Sequence, residues 1–264
     1  MSDEHQIVQT ASLASGNTQI GVQNNQYGIS AEDATRILMN LFLDNFPRLQ
    51  QLAADTAKQR AEELCRETIN KLSSKETNDF SAFKDPDVQY IFWEAQKNYA
   101  RFGKKEMLEN LSTLIAARIK LNDDDYIRIV IDRALSAVGY LPQEHIDYLS
   151  LLFLCKSVNI HSIKTVDDLK NALNYWNNVF KAKTISSISL LNSLGCLDLN
   201  IGDPTERMAE TYHLPKERVK EICPKMISML APDYGPSQIG VVLAIVNIER
   251  KTEYKFVLEK WIHQ

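Results

Sequence analysis

What this sequence lacks narrows its reading first. The longest apolar run, Ile239 to Ile248, is interrupted by Gly240 and Asn247, and it is about half the length needed to span a bilayer. Residues 1–30 have neither the basic start nor the apolar centre of a signal peptide. Basic residues are not in excess: 30 Lys and Arg stand against 34 Asp and Glu, a net charge of −4, which argues against general binding to nucleic acid or to an anionic membrane. The four cysteines, Cys65, Cys155, Cys196 and Cys223, are widely spaced without a CxxC pair and read as reduced thiols. The expectation is a soluble cytoplasmic protein, with contact to a membrane left open only for an activated state.

Catalytic signals are missing as well. There is no P-loop, GxGxxG, GxSxG or HExxH. The five histidines, His5, His145, His161, His213 and His263, are scattered at spacings that suit no zinc motif. His145 and Asp147 flank Ile146 on one helix and so point in different directions. The acidic run Asp123–Asp125 is explained by helix capping rather than by a cation. An Arg-x4-His pair of the kind found in some helical RNases is absent, Arg207 and His213 having the wrong spacing. Lys216 to Lys225 is a mixed-charge solvated face. No residue is put forward as catalytic, cofactor-binding or metal-ligating, no cofactor is expected, and the chain is read as a non-enzyme.

What is present divides sharply at residue 30. Ser15 to Ser30, SGNTQIGVQNNQYGIS, is nearly uncharged and rich in Asn, Gln and Gly. Thr18, Ile20 and Val22 alternate with Gln19, Gly21 and Gln23, the period-two spacing of a strand with β-branched residues on one face and amides on the other. Asn24-Asn25 suits a turn, after which Tyr27 and Ile29 would form a second short strand. So small an arc needs a host sheet or copies of itself. In-register amide ladders and a dry Ile/Val face are the ingredients of a steric zipper. The expected self-assembly residues are Asn17, Thr18, Gln19, Ile20, Gly21, Val22, Gln23, Asn24 and Asn25. The same composition also fits a polar terminus without a fixed structure.

At Gln19-Ile20-Gly21, with Ser15-Gly16-Asn17 before and Asn24-Asn25 after, the segment resembles the RIP homotypic interaction motif, an amyloid-forming core. Thr18 stands where that motif usually has Ile or Val. The resemblance implies homotypic strand stacking. Its partners would be further copies of this chain or a defence protein carrying a similar motif.

From Ser30 onward the periodicity is helical. Ala34, Ile37, Leu38, Leu41 and Phe42 trace one face, and Pro47 is expected to kink or restart the helix. A long helix is expected over residues 48–73, followed by a polar loop at Ser73 to Ser81. Asp85-Pro86 opens a helix that Gly103 ends, and further helices follow from Lys104, from Asp123–Asp125 and from Pro142. Thr165 with Asp168 marks another start, and shorter helices follow from Ile185, Pro204 and Pro215, with a final one after Pro236. Tyr254, Phe256 and Trp261 are expected to pin the terminus to the bundle. The fold class is all-α, a multi-helix bundle with a short β-prone N-terminal tail. Its expected organisation is an interaction motif over 1–29, a helical domain over 30–160 and a C-terminal helical subdomain over 161–264.

Three stretches, Glu106 to Ile119, Ile131 to Leu154, and Leu191 to Leu197 with the later Ser237 to Gly240, are similar to bacterial helical proteins related to abortive-infection alpha proteins. The Leu191–Leu197 stretch also resembles the wing region of winged-helix proteins, but the interval to Ile239 contains helices and is too long for a simple wing. The abortive-infection resemblance implies a role in antiphage defence. The alternatives left open are a helical oligomeric scaffold and a toxic helical effector, membrane-active or nuclease-like, in which the tail is idle.

Overall fold

The computed structural model describes residues 31–73, 80–121, 124–181, 188–199, 202–222, 224–230 and 232–262. The chain divides into two compact units, Met1–Gln50 and Gln51–Gln264. The described part of the first is helical and belongs to α1 (Ala31–Ser73), with Ile37 and Met39 exposed. Pro47 lies inside α1, so the restart expected there gives way to one continuous helix. A proline within a helix forfeits one backbone hydrogen bond, and the run of good helix formers that follows it over residues 48–54 favours the helical course.

In the second unit α1 contributes Leu64, Thr68 and Leu72, all buried at i, i+4, i+8 spacing, while residues 51–56 are exposed all round. The helix therefore packs through its last three turns. A short 3-10 turn, Ser81–Lys84, leads to α2 (Pro86–Phe102), where Asp85 accepts a hydrogen bond from the Asp87 N–H and Pro86 occupies the first turn. Gly103, at φ 59°, closes α2 in the left-handed region. The Arg60 guanidinium donates to the carbonyls of Ala100 and Arg101 at 2.7 and 3.3 Å. A cation thus satisfies orphan carbonyls at the negative end of the helix.

Next come α3 (Lys105–Lys120), α4 (Asp125–Val138), α5 (Gln143–Lys156) and α6 (Val166–Phe180). Asp124 caps α4 by accepting from the Tyr126 and Ile127 N–H groups. Thr165 and Asp168 form a reciprocal capping box on α6. The remainder is α7 (Ile188–Ser193), β1 (Leu197–Leu199), α8 (Pro204–Tyr212), α9 (Lys216–Glu221), α10 (Pro224–Ile227), β2 (Tyr234–Pro236), α11 (Gln238–Lys251) and α12 (Glu259–Ile262). The architecture is an all-α multi-helix bundle.

Two helices form its centre. Every residue of α5 from His145 to Lys156 is buried, as is α11 from Gly240 to Ile248. Helices apolar on all sides belong in the interior, and α3, α4, α6 and α8 pack around this pair. The run Ile239–Ile248 is thus core. Among the described residues, no helix is long and apolar enough to cross a membrane. The C-terminal stretch closes over α5: Phe153, Phe256 and Trp261 stack edge to face with centroids 4.8–6.2 Å apart.

The bundle also carries a feature not expected from sequence, an antiparallel ribbon pairing Leu197 with Pro236 and Leu199 with Tyr234. The long interval noted above is real, but α8, α9 and α10 fill it and return the chain to β1. The ribbon is fastened on three sides. Ser237 donates its hydroxyl to the Gly195 carbonyl at 2.6 Å, accepts from the Gly240 N–H, and donates its own N–H to the Cys196 carbonyl at 3.0 Å. Gly240 meets the Cys196 carbonyl so closely that a Cβ there would fall 2.1 Å from its oxygen. Lys156 reaches out of α5 and donates to the Pro232 and Tyr234 carbonyls, each at 2.8 Å. The two halves of the third stretch quoted above, Leu191–Leu197 and Ser237–Gly240, are therefore in direct contact.

Candidate functional site: a charged groove and an open helix face

The expected self-assembly residues, Asn17 through Asn25, lie outside the described residues. Within the second unit, two features could engage other molecules.

The first is a groove of about 380 Å³ where the end of α1 meets α3 and α11. Glu67, Lys71, Glu109, Glu249, Arg250 and Lys255 line it together with Thr113 and Val246. Its charges are largely paired within the wall. Arg250, with a side chain 16% exposed, donates to Glu109 at 2.9 Å and to the Asn247 side-chain oxygen at 2.6 Å. Lys71 faces Glu67 at 3.5 Å, and Glu249 accepts from the Phe256 N–H at 2.8 Å. Glu67 and Glu109 also line a neighbouring groove of about 420 Å³ with Glu63, Tyr99 and Lys105. There Tyr99 donates to Glu63 at 2.6 Å, and burial together with that hydrogen bond pushes its phenol up to about 12. Such a surface offers alternating, partly satisfied charges, suited to holding a polar partner by charge-assisted hydrogen bonds.

Behind the groove a buried polar cluster ties α5 to α11. One Asp147 carboxylate oxygen accepts from Gln143 at 2.9 Å, Asn247 at 2.8 Å and Lys251 at 2.6 Å. Asp147 thus faces α11, and its work is structural: a buried carboxylate with this many donors is satisfied. Among the described residues no group of three or more His, Cys, Asp or Glu could hold a metal ion. The Cys196 thiol, pushed up to about 12 by burial, stays protonated and is a poor nucleophile.

The second feature is the outer face of α4. Tyr126, Ile129 and Tyr140 are 50%, 57% and 63% exposed, and Arg133 and Ser136 between them are exposed too. The inner face, Ile127, Val130, Ile131, Ala134, Leu135 and Val138, is buried. Sequence reasoning recovered that inner face and missed the outer one. The outer aromatics interleave with a broad apolar stripe, and spacing alone does not say which of two apolar faces a bundle covers.

Fold and surface together define a helical bundle with a charged groove and an exposed helix face. A family model whose description reads only ":-like" matches residues 28–234. That span is more than half of the sequence, so the chain belongs to this family, whose description states no activity, ligand or partner. No curated protein matches the chain, and no solved structure matches it.

Proposed function

We propose that this chain is a non-enzymatic defence or signalling protein that self-assembles through Asn17–Asn25 to activate or recruit its helical bundle. The observation that carries the reading is the segment itself. It sets Thr18, Ile20 and Val22 at strand spacing, interleaves them with Gln19, Gly21 and Gln23, and follows them with Asn24-Asn25. Stacked copies would bury the β-branched face and run amide ladders along the assembly. Its resemblance to the RIP homotypic interaction motif supports stacking, and the similarity to abortive-infection alpha proteins supports a defence role. The partners are other copies and a protein with a like segment, and the setting is the cytoplasm.

The test replaces Ile20 and Gly21 with aspartate in the full-length chain. Stacked like charges repel at every layer, so thioflavin fluorescence and sedimentable assemblies should disappear while the circular dichroism spectrum stays that of a helical protein. Normal assembly by this variant would refute the proposed interface.

A further inference from the structure

One buried side chain lacks a hydrogen-bond partner at a place where a small molecule fits. Asn110 of α3 is 1% exposed, and among the described residues neither its Oδ1 nor its Nδ2 has a partner. Buried amides are almost always satisfied, because leaving one unmet forfeits its hydration without return. Asn110 lines a cavity of about 20 Å³ with Met107 of α3, Val138 at the end of α4, Leu141 and Ile146. Gln143, in the first turn of α5, lines it too. The Gln143 Nε2 is committed to Asp147 at 2.9 Å and to Asn247 at 3.0 Å, so the Oε1 is the polar atom this side chain has left for the cavity.

We infer that the cavity is a binding site for one water molecule, which accepts from the Asn110 Nδ2 and donates to the Asn110 Oδ1 and the Gln143 Oε1. Size and chemistry both select that ligand. A water needs roughly 10–15 Å³ of such space, and the cavity offers little more. A cation would leave the Nδ2 donor unmet, and an anion would confront two amide oxygens. Lys104 and Glu106, the charged residues of the lining, are opposite in sign and favour neither. Water donates and accepts, and three hydrogen bonds are the usual number for a buried one.

The water closes a ring of hydrogen bonds through three helices. Gln143 of α5 donates to the Asn247 side-chain oxygen on α11, and Arg250 donates to that same oxygen at 2.6 Å and to Glu109 at 2.9 Å. Glu109 precedes Asn110 in α3, which returns the ring to the cavity. The guanidinium that lines the charged groove is thus positioned partly from behind, through Asn247, Gln143 and the water. This site stands independently of the N-terminal segment.

The experiment uses the full chain carrying Ile20→Asp and Gly21→Asp, so that N-terminal stacking does not interfere. Magnetic resonance should show cross-peaks from water to the Asn110 Nδ2 protons, of the sign given by a water that stays bound longer than the protein takes to tumble. Asn110→Leu, which removes that signal and so assigns it, is close in shape to the parent. It displaces the water and leaves the Gln143 Oε1 unmet, so the unfolding constant measured in urea should rise roughly tenfold. Lys104→Ala should leave the cross-peaks in place, and their loss in that variant would assign the contact to the lysine ammonium instead. Absence of the cross-peaks in the parent would overturn the inference. So would an Asn110→Leu protein more stable than the parent, the result expected where an amide is buried with nothing to bond.

Discussion

Replacing Gly240 with alanine should destabilise the bundle by about 2–3 kcal/mol. The added Cβ would lie 2.1 Å from the Cys196 carbonyl oxygen, 3.2 Å from its carbon and 3.1 Å from the Pro236 Cβ. Ordinary contacts lie near 3.5–4.0 Å, so α11 and the ribbon must separate by more than 1 Å. Neither side yields readily: the obstructing atom is backbone, and the same carbonyl accepts the Ser237 N–H. Overpacking of this kind costs about 1–3 kcal/mol, and weakening the Ser237 hydrogen bond adds about 1 kcal/mol. The better helix propensity of alanine returns up to about 1 kcal/mol. Urea unfolding followed by circular dichroism should show the midpoint falling by roughly 1 M with the slope unchanged. Gly202→Ala is the matched control, since its new methyl would meet only the Arg207 side chain at 3.4 Å or more. A Gly240→Ala protein as stable as the parent would show that the close approach of α11 to the ribbon is not what requires glycine.

Other consequences can be checked with the same assay. Ser237→Ala removes both the α11 cap and the hydrogen bond to Gly195 and should cost about 1–2 kcal/mol; no loss would mean that the cap is replaceable. Arg118, 1% exposed, joins Asp87 of α2 to Asp132 of α4, and Arg118→Met should cost about 2–4 kcal/mol, below the full penalty for a buried pair because Asp87 is half exposed. Burial raises the Asp132 carboxyl and Arg118 opposes that rise, so without Arg118 its folded-state value climbs further above the unfolded one. The penalty for holding it ionised is then full above the folded-state value and relieved as the pH falls through it. The deficit of Arg118→Met should therefore shrink in mild acid, and a deficit independent of pH would contradict this reading. Asp168 behaves oppositely: its hydrogen bond from Thr165 and two backbone bonds hold its carboxyl below the usual range. Its contribution is present above the ordinary aspartate value of about 3.9 and is lost as pH falls through the lower folded value. Thr165→Ala should blunt that acid sensitivity on α6, read by comparing unfolding midpoints across the acid range.

Where local chemistry decides, the fold was legible in the sequence. Asp85-Pro86, Asp124 before α4, the Thr165–Asp168 pair and Gly103 mark helix ends, because caps and left-handed glycines act within a few residues. The pinning of the terminus by Phe256 and Trp261 was likewise readable as aromatic residues in a polar stretch. The ribbon was not, since strands of three residues carry no periodicity and β1 finds β2 only after α8, α9 and α10 have intervened. Continuity through Pro47 was hidden because one lost hydrogen bond is small beside the length of α1. The groove escaped notice for a related reason: Glu67, Glu109 and Arg250 are ordinary helix-surface residues until three helices bring them together. The segment Asn17–Asn25 stands differently again: it lies outside the described residues, and its role in stacking copies of the chain is the proposal made above.

The most direct measurement of the central claim compares purified full-length protein with a version lacking residues 1–29, by thioflavin fluorescence and electron microscopy with fibre diffraction. The account predicts fibres with the roughly 4.7–4.8 Å cross-β repeat from the full-length protein alone. Identical behaviour of the two proteins would contradict it.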